Sequence, residues 1–381
     1  MKEPKKVCHF TSAHEAFDDR IYLKECLSLK NAGYIVFIVA RGQNESRAGI
    51  EIVGCGEPSN KLQRLCFFAR KVYKVAKKLD CDIYHFHDPE LLPYGIKLKK
   101  LGKKVIFDSH EDVPAQILDK QWIPSIIRGI VSKLYRRYET KAVRQFDAVI
   151  AATPHIAEQF EGRVKKIVVI HNYPKLDDII FQKKPFEERD RIVCYAGGIN
   201  ELRGEKIMIS AMKGIKGKLI LAGPHESLTI RTNNGELVYT GILDREQINE
   251  LYSKAIVGLV MLLPAHNYID SLPIKMFEYM AAGLPFIASD FPVWKKIVDE
   301  SKAGICVNPY DIKALQESIN YLINNRTKAQ QMGLNGRKYV VEKCSWANEE
   351  ILLRSLYEDL CFNNYDNKTD IINDSYLKNN S

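Results

Sequence analysis

The chain runs twice through the same alternation of short apolar, β-rich segments and helical stretches, and that restart constrains its fold more than any single motif. The first series of strand candidates is Val7–Phe10, Tyr34–Ala40, Asp82–His87, Lys104–Ser109, Ala148–Ala152 and Ile167–His171. Helices are expected between them, near 19–33, 60–79, 90–101, 123–145 and 154–160. The second series has strand candidates Arg191–Gly197, Lys218–Gly223, Val238–Gly241, Ile256–Leu263, Pro285–Ser289 and Gly304–Val307, with helices near 204–213 and 244–254. Strands joined by helical crossovers specify a parallel sheet covered on both faces. The expected fold class is therefore α/β, with two doubly wound, Rossmann-like domains. Their expected bounds are 1–172 and 191–345, joined by a Pro-containing, charged linker at 173–190. A last helix, 346–361, carries Leu352, Leu353, Leu356 and Leu360 on one face. The polar, Asn-rich residues 362–381 are expected to be disordered.

Composition narrows the class. Apolar residues make up 46% and charged residues 27%, the balance of an ordinary globular protein. No apolar run reaches the roughly 20 residues needed to span a bilayer. Met1-Lys2-Glu3-Pro4-Lys5-Lys6 leads straight into the first strand, so no export signal is expected and the expected location is cytoplasmic. The nine cysteines are scattered, which indicates neither a disulfide framework nor a zinc site. The net charge of +9 is uneven: residues 1–185 hold 33 Lys and Arg against 22 Asp and Glu, and the remainder 23 against 25. The basic half is expected to face something anionic. No helix-turn-helix, zinc-finger or RNP-type pattern accompanies the charge, so nucleic acid is not expected as a partner.

The richest segment is Asp270 to Ser289, DSLPIKMFEYMAAGLPFIAS. It places one acid, Asp270, before a helix N-terminus formed by Ser271, Leu272 and Pro273, and a second acid, Glu278, inside the helix with Lys275 beside it. The free N–H groups and positive dipole end of a helix make an anion site. Acid, anion site, acid suits a nucleotide-diphosphate sugar. The segment resembles the donor-site motif of the glycosyltransferase family 4 enzymes, also called group 1 glycosyltransferases, which have the two-domain GT-B fold. The family motif reads Glu, seven residues, Glu; here the first is Asp270 and the second is kept as Glu278.

The resemblance implies that Glu278 binds the ribose hydroxyls and that residues 346–361 cross back to the first domain. It also assigns the donor diphosphate to the loop Gly197-Gly198-Ile199-Asn200-Glu201-Leu202-Arg203-Gly204. The family carries an Arg directly after the first Gly and a basic residue before the last. Arg203 matches the second position, whereas Gly198 stands at the first, so half of the usual clamp is missing. Lys275 is a candidate to compensate. Catalytic candidates are His110, Asp270 and Arg203. Donor-binding candidates are Gly197, Gly198, Arg203, Ser271, Leu272, Pro273, Lys275 and Glu278.

In the first half, the loop after the first strand offers His14, Asp19 and Arg20 as acceptor-side candidates, with Glu111 from Phe107-Asp108-Ser109-His110-Glu111-Asp112. His110 stands where family members carry a His facing the donor sugar. His85 and His87 share one face of a strand, but no third ligand follows at metal spacing, and His85 is expected in the core. Asp80-Cys81-Asp82 resembles the D-x-D of metal-dependent transferases and is read as coincidence. No metal and no cofactor are expected.

The functional expectation is a retaining, metal-independent glycosyltransferase using a nucleotide-diphosphate sugar, taken as a UDP-sugar. The acceptor is expected to be a lipid-linked saccharide in surface polysaccharide synthesis. Two helices, near 60–79 and 122–138, are basic and apolar together, which suggests contact with an anionic membrane. The alternatives are a nucleotide-sugar epimerase or phosphorylase of the same fold, and an inactive partner subunit.

Overall fold

A computed structural model describes residues 3–120, 122–181, 184–225, 236–362 and 370–372. The chain divides into two compact units, Met1–Asn172 with Ala347–Ser381, and Tyr173–Trp346.

Unit 1 is built on strands β1 (Lys6–Glu15), β2 (Ile35–Arg41), β3 (Glu45–Arg47), β4 (Ile50–Gly54), β5 (Ile83–Phe86), β6 (Lys104–Ser109), β7 (Ala148–Ala151) and β8 (Lys166–Val169). They lie in the order β8-β7-β6-β5-β1-β2-β4-β3. All pairs are parallel except β3 with β4. The β3–β4 hairpin has no counterpart among the expected strands, because Glu45-Ser46-Arg47 lacks the apolar signature of a buried strand. Strand order reverses between β1 and β5, so the loops that follow these two strands flank a switch point, where doubly wound sheets bind ligands. The strands read as continuous apolar runs because both faces are covered; Val7, Cys8, Phe10, Ile83, Tyr84 and Phe86 are all buried.

The first crossover is wound as a π-helix over Asp19–Cys26 before it becomes α-helical at Leu27–Asn31. Such winding often marks a functional position. The helix Trp346–Phe362 falls in unit 1 from Ala347 onward and buries Leu353, Leu356, Tyr357 and Leu360. Each such side chain contributes roughly 1.5–3 kcal/mol on leaving water. Residues 370–372 pair in parallel with β8, a strand within the stretch expected to be disordered. The rest of that stretch, beyond Phe362, lies outside the described residues.

Unit 2 has strands β9 (Ile192–Ala196), β10 (Lys218–Ala222), β11 (Leu237–Gly241), β12 (Val257–Val260), β13 (Phe286–Ser289) and β14 (Gly304–Val307), in the order β11-β10-β9-β12-β13-β14 and all parallel. Its switch point lies between β9 and β12. Three helices absent from the expectation, Pro292–Ser301, Ile312–Asn324 and Arg326–Lys343, complete the cover. The segment expected as a linker is packed into unit 2, where Ile179, Phe186 and Arg189 are buried.

Candidate functional site

In unit 2 the loop after β9 and the helix Ile274–Ala282 bring the donor-motif residues together. Gly197 has a φ of 141°, a conformation that disfavours side chains, and a Cβ there would lie 2.8 Å from Lys275 Nζ. Lys275 Nζ donates to Tyr195 Oη at 2.8 Å and lies 3.9 Å from the centre of that ring. Tyr195 Oη in turn donates to the Gly198 carbonyl at 2.8 Å. Burial, helped by the nearby Arg203 charge, lowers the Lys275 pKa to about 7. Two cations thus crowd one small volume, an arrangement that an anion relieves.

The Arg203 guanidinium reaches over Gly198: a Cβ added at 198 would lie 3.3 Å from its Nη1. The space a side chain at the missing family position would use is therefore already held by a guanidinium. Asn200 caps the turn that carries Arg203 by accepting from its backbone N–H at 3.0 Å.

Glu278 accepts from Arg245 Nη1 at 2.7 Å and from Tyr252 Oη at 3.0 Å, one on each oxygen. Each oxygen has a further lone pair for a ligand hydroxyl. Neither partner was foreseeable from the motif: Arg245 and Tyr252 come from the helix Arg245–Lys254. Among the described residues no side chain caps the first turn of the Ile274–Ala282 helix, which leaves its N–H groups for an anion. Ser271 donates to the Tyr268 carbonyl, and Trp294 Nε1 holds the Ser271 carbonyl at 2.6 Å, so the turn into the helix is pinned. Leu272 packs on the core below, and Pro273 precedes the first helical residue. Asp270 is half-buried and makes no hydrogen bond or ion pair among the described residues.

In unit 1, the switch point gathers polar side chains from the ends of β1, β5 and β6. Asp108 is the hub. Arg20 grips it through Nε and Nη2 at 2.9 and 3.0 Å, and its Oδ2 lies 3.2 Å from His110 Nε2 and 3.3 Å from His87 Nδ1. Burial alone would raise the Asp108 pKa, but Arg20 and His110 hold it well below the usual range. His14 Nδ1 lies 3.0 Å from Asp18, and its ring centre 5.6 Å from that of His110. Burial opposes the His14 imidazolium, yet the bond to Asp18 and the charge of Asp88 outweigh it and raise the pKa. Asp88, not singled out by sequence, accepts from Thr11 Oγ1 at 2.7 Å and Ser12 N at 2.6 Å and so shapes the β1 loop.

Two acceptor-side expectations change, those for Arg20 and Asp19. Arg20 is buried, at 2% exposure, and spends its donors on Asp108 and the Ile170 carbonyl, so it is a structural clamp and not a ligand contact. Asp19 is engaged by Lys24 at 2.6 Å. Glu111 is exposed and makes no side-chain hydrogen bond or ion pair among the described residues. His85 is in the core, as expected, but it and His87 are not without further ligand-type neighbours: the fold brings His9 and Glu25 to them. Asp80 pairs with Lys103 and Asp82 with Lys5, so each acid of the D-x-D triplet has its own ammonium partner.

Against this geometry stand the likenesses to known proteins. The family described as Glycosyl transferases group 1 matches residues 177–339, and Glycosyltransferase Family 4 matches residues 23–173. The MMP alpha-(1->4)-mannosyltransferase of Mycolicibacterium hassiacum is 24% identical over 307 residues, covering 74% of this chain and 72% of that protein. The phosphatidyl-myo-inositol mannosyltransferase of Mycobacterium leprae is 22% identical over 295 residues, covering 73% and 74%. The structure of Anabaena Alr3699/HepE in complex with UDP-glucose shares the fold, with a TM-score of 0.69 at 13% identity over 93% of this chain and 100% of that one.

Proposed function

Because the chain belongs to the group 1, family 4 glycosyltransferases and has their GT-B fold, we propose that it transfers a hexose with retention from a UDP-sugar to a lipid-linked saccharide. The observation that carries the donor half of this reading is the convergence of Arg203 and Lys275 on the Gly197-Gly198 loop, with Glu278 one helical turn beyond Lys275. Departure of the diphosphate is the demanding event, and charge develops on its oxygens. Arg203 and the Lys275 ammonium meet that charge from fixed positions, with the uncapped Ile274–Ala282 helix start behind them. Glu278, held by Arg245 and Tyr252, takes the ribose hydroxyls without having to be ordered first. In this reading the donor step uses no divalent ion. The acceptor proton goes to the departing phosphate, and His110 and His14 are assigned to the sugars. A UDP-glucose-bound neighbour of the same fold supports the choice of base.

The lipid-linked acceptor rests on the Ser125–Val143 helix. Ile126 is 90% exposed and Ile130 59%, and Trp122 just ahead of the helix is 72% exposed. Beside them Lys133, Arg136, Arg137, Lys141, Arg144 and Arg163 line a groove of about 640 Å³. Exposed apolar side chains next to a cationic groove match an anionic leaflet. Among the described residues no helix is long and apolar enough to cross a membrane. The phosphatidyl-myo-inositol mannosyltransferase among the relatives bears a lipid acceptor in its name.

The test is turnover with a panel of UDP- and GDP-sugars, the anomeric configuration of the product read by NMR, alongside the variant Glu278→Gln. UDP-sugar turnover with retention, and a donor KM raised about tenfold or more in the variant at unchanged Tm, is the expected result. Preference for a GDP-sugar, inversion, or an unchanged KM overturns the corresponding part.

A further inference from the structure

Below the β1 and β5 loops of unit 1 lie four side chains for which the transfer reaction has no use. His9 of β1 is in register with His85 of β5, His87 follows on the same face, and the π-wound Asp19–Cys26 segment brings Glu25 to them. All four are buried, none more than 3% exposed, and they offer ligand atoms within 4.8 Å of one another. We propose that His9, His85, His87 and Glu25 bind one divalent transition-metal ion of the Zn²⁺ type in the interior of unit 1.

The spacing is that of ligands around an ion. His9 Nδ1 and His87 Nε2 are 3.1 Å apart, and Glu25 Oε2 lies 3.7 Å from the first and 3.9 Å from the second. The two longer separations exceed a hydrogen bond. Yet the point equidistant from all three atoms lies about 2.1 Å from each, the length of a Zn–N or Zn–O bond. His85 supplies the fourth ring.

The surroundings fit as well. Metal-bound histidines hold their other nitrogen against a carboxylate or similar group. Here His87 Nδ1 faces Asp108 Oδ2 at 3.3 Å, and His9 Nε2 meets Tyr357 Oη at 3.2 Å. Tyr357 Oη also holds His85 Nδ1 at 2.9 Å. Among the described residues, Oε2 of Glu25 and Nε2 of His85 are buried without a hydrogen-bond partner, while Oε1 of Glu25 has only the ion pair to Arg20 Nε. Such orphaned atoms are rare and need an explanation, and a cation supplies one. Arg20, 3.0 Å from Glu25, is the guanidinium that also grips Asp108, so one cation faces two buried carboxylates.

Four protein ligands in a buried set make a closed, structural site, not one that activates water. Through His87 the ion anchors Asp108, and Asp108 anchors His110, so it positions the side chain assigned to the sugar. Imidazole ligands suit Zn²⁺, and Co²⁺ is a spectroscopic probe for the same site.

The test is independent of turnover. The full chain is purified, its metal content measured by elemental analysis, then unfolded with chelator and refolded with Zn²⁺ or Co²⁺. The expected result is one ion per chain, a higher Tm on refolding with Zn²⁺, and intense visible bands of low-symmetry Co²⁺. Tyr357→Phe keeps the ring in the core and should weaken metal affinity by about 10–100-fold. Glu25→Gln and His87→Asn should abolish stoichiometric binding, while His225→Ala in unit 2 retains it. A protein that carries no transition metal as purified and takes up none on refolding overturns the site, leaving only a hydrogen-bonded imidazole cluster. So does an ion that persists in both Glu25→Gln and His87→Asn. Failure of the UDP-sugar reading would leave these metal measurements unchanged.

Discussion

The Arg203 guanidinium stands in front of Gly198, with Nη1 3.3 Å from the point where a side chain at 198 would begin. A cation is thus supplied from the end of the loop where the resemblance expects one from its start. Arg203→Ala should lower kcat by about 10²-fold or more with a smaller change in donor KM, since the charge it meets develops in the transition state. Adding Gly198→Arg to Arg203→Ala should restore a measurable part of kcat, because the vacated space is the one an arginine at 198 would enter. Steady-state kinetics of the single and double variants decide this. No recovery would show that the direction of approach matters and not only the charge.

Lys275 titrates at about 7 in the folded chain, against roughly 10.4 for a free lysine. Below pH 7 both the folded and the unfolded chain carry this proton. Between about 7 and 10 the unfolded chain binds it more, so this group makes stability rise with pH across that window. A bound diphosphate favours the charged form, so UDP binding should take up a proton above pH 7 and weaken as pH rises, by at most about tenfold per unit. Calorimetric titration with UDP in two buffers of different ionisation enthalpy measures the uptake. Lys275→Arg should remove it. A pH-independent affinity in the native protein would place Lys275 away from the phosphates.

Asp108→Asn should destabilise unit 1 by about 3–5 kcal/mol, because it removes the carboxylate that takes two of the hydrogen bonds of the buried Arg20. Urea unfolding followed by circular dichroism reads the shift in midpoint. An unchanged midpoint would mean that Arg20 is satisfied without Asp108.

The cationic groove predicts salt-dependent binding to anionic vesicles. Co-sedimentation with phosphatidylglycerol vesicles should fall as salt rises, since exposed charges reach only about 8 Å at physiological ionic strength. Reversing Lys133, Arg137, Lys141 and Arg144 to Glu should abolish it, and Ile126→Ser with Ile130→Ser should weaken it at low salt. Equal binding to phosphatidylcholine vesicles would point to apolar insertion alone, and no binding to either would point to a soluble acceptor.

The parts of the molecule legible in the sequence are those in which neighbours in space are close in the chain. The period of strands and helices, the Lys275–Glu278 spacing and the Gly197–Arg203 loop are all local. The restart of the strand pattern therefore sufficed for two doubly wound units. The missed helix Pro292–Ser301 follows the motif strand with little polar punctuation, and Glu45–Arg47 is a charged edge strand that alternation cannot detect. Site electrostatics were less accessible. Arg20 looks like a ligand contact until the fold shows Asp108, 88 positions later, closing on it. The same holds for His9 with His87, and for Arg245 with Glu278. These pairings exist only once a crossover has returned the chain to the sheet.

Tyr357 reaches His9 and His85, Glu349 accepts from the His171 backbone, and Asp359 pairs with Lys166, all from the Trp346–Phe362 helix. On the ribosome, unit 1 is consequently begun first and finished last. The 174 residues of unit 2 separate its two portions, a delay on the order of 10–35 s at elongation rates of about 5–20 residues per second. Throughout that interval the strands carrying His9 and His85 exist without the helix that covers them, whereas unit 2, being continuous, has its whole sequence available before unit 1 does. The nascent chain therefore exposes its histidine-bearing sheet to whatever solute or chaperone meets it before the final helix arrives to seal it.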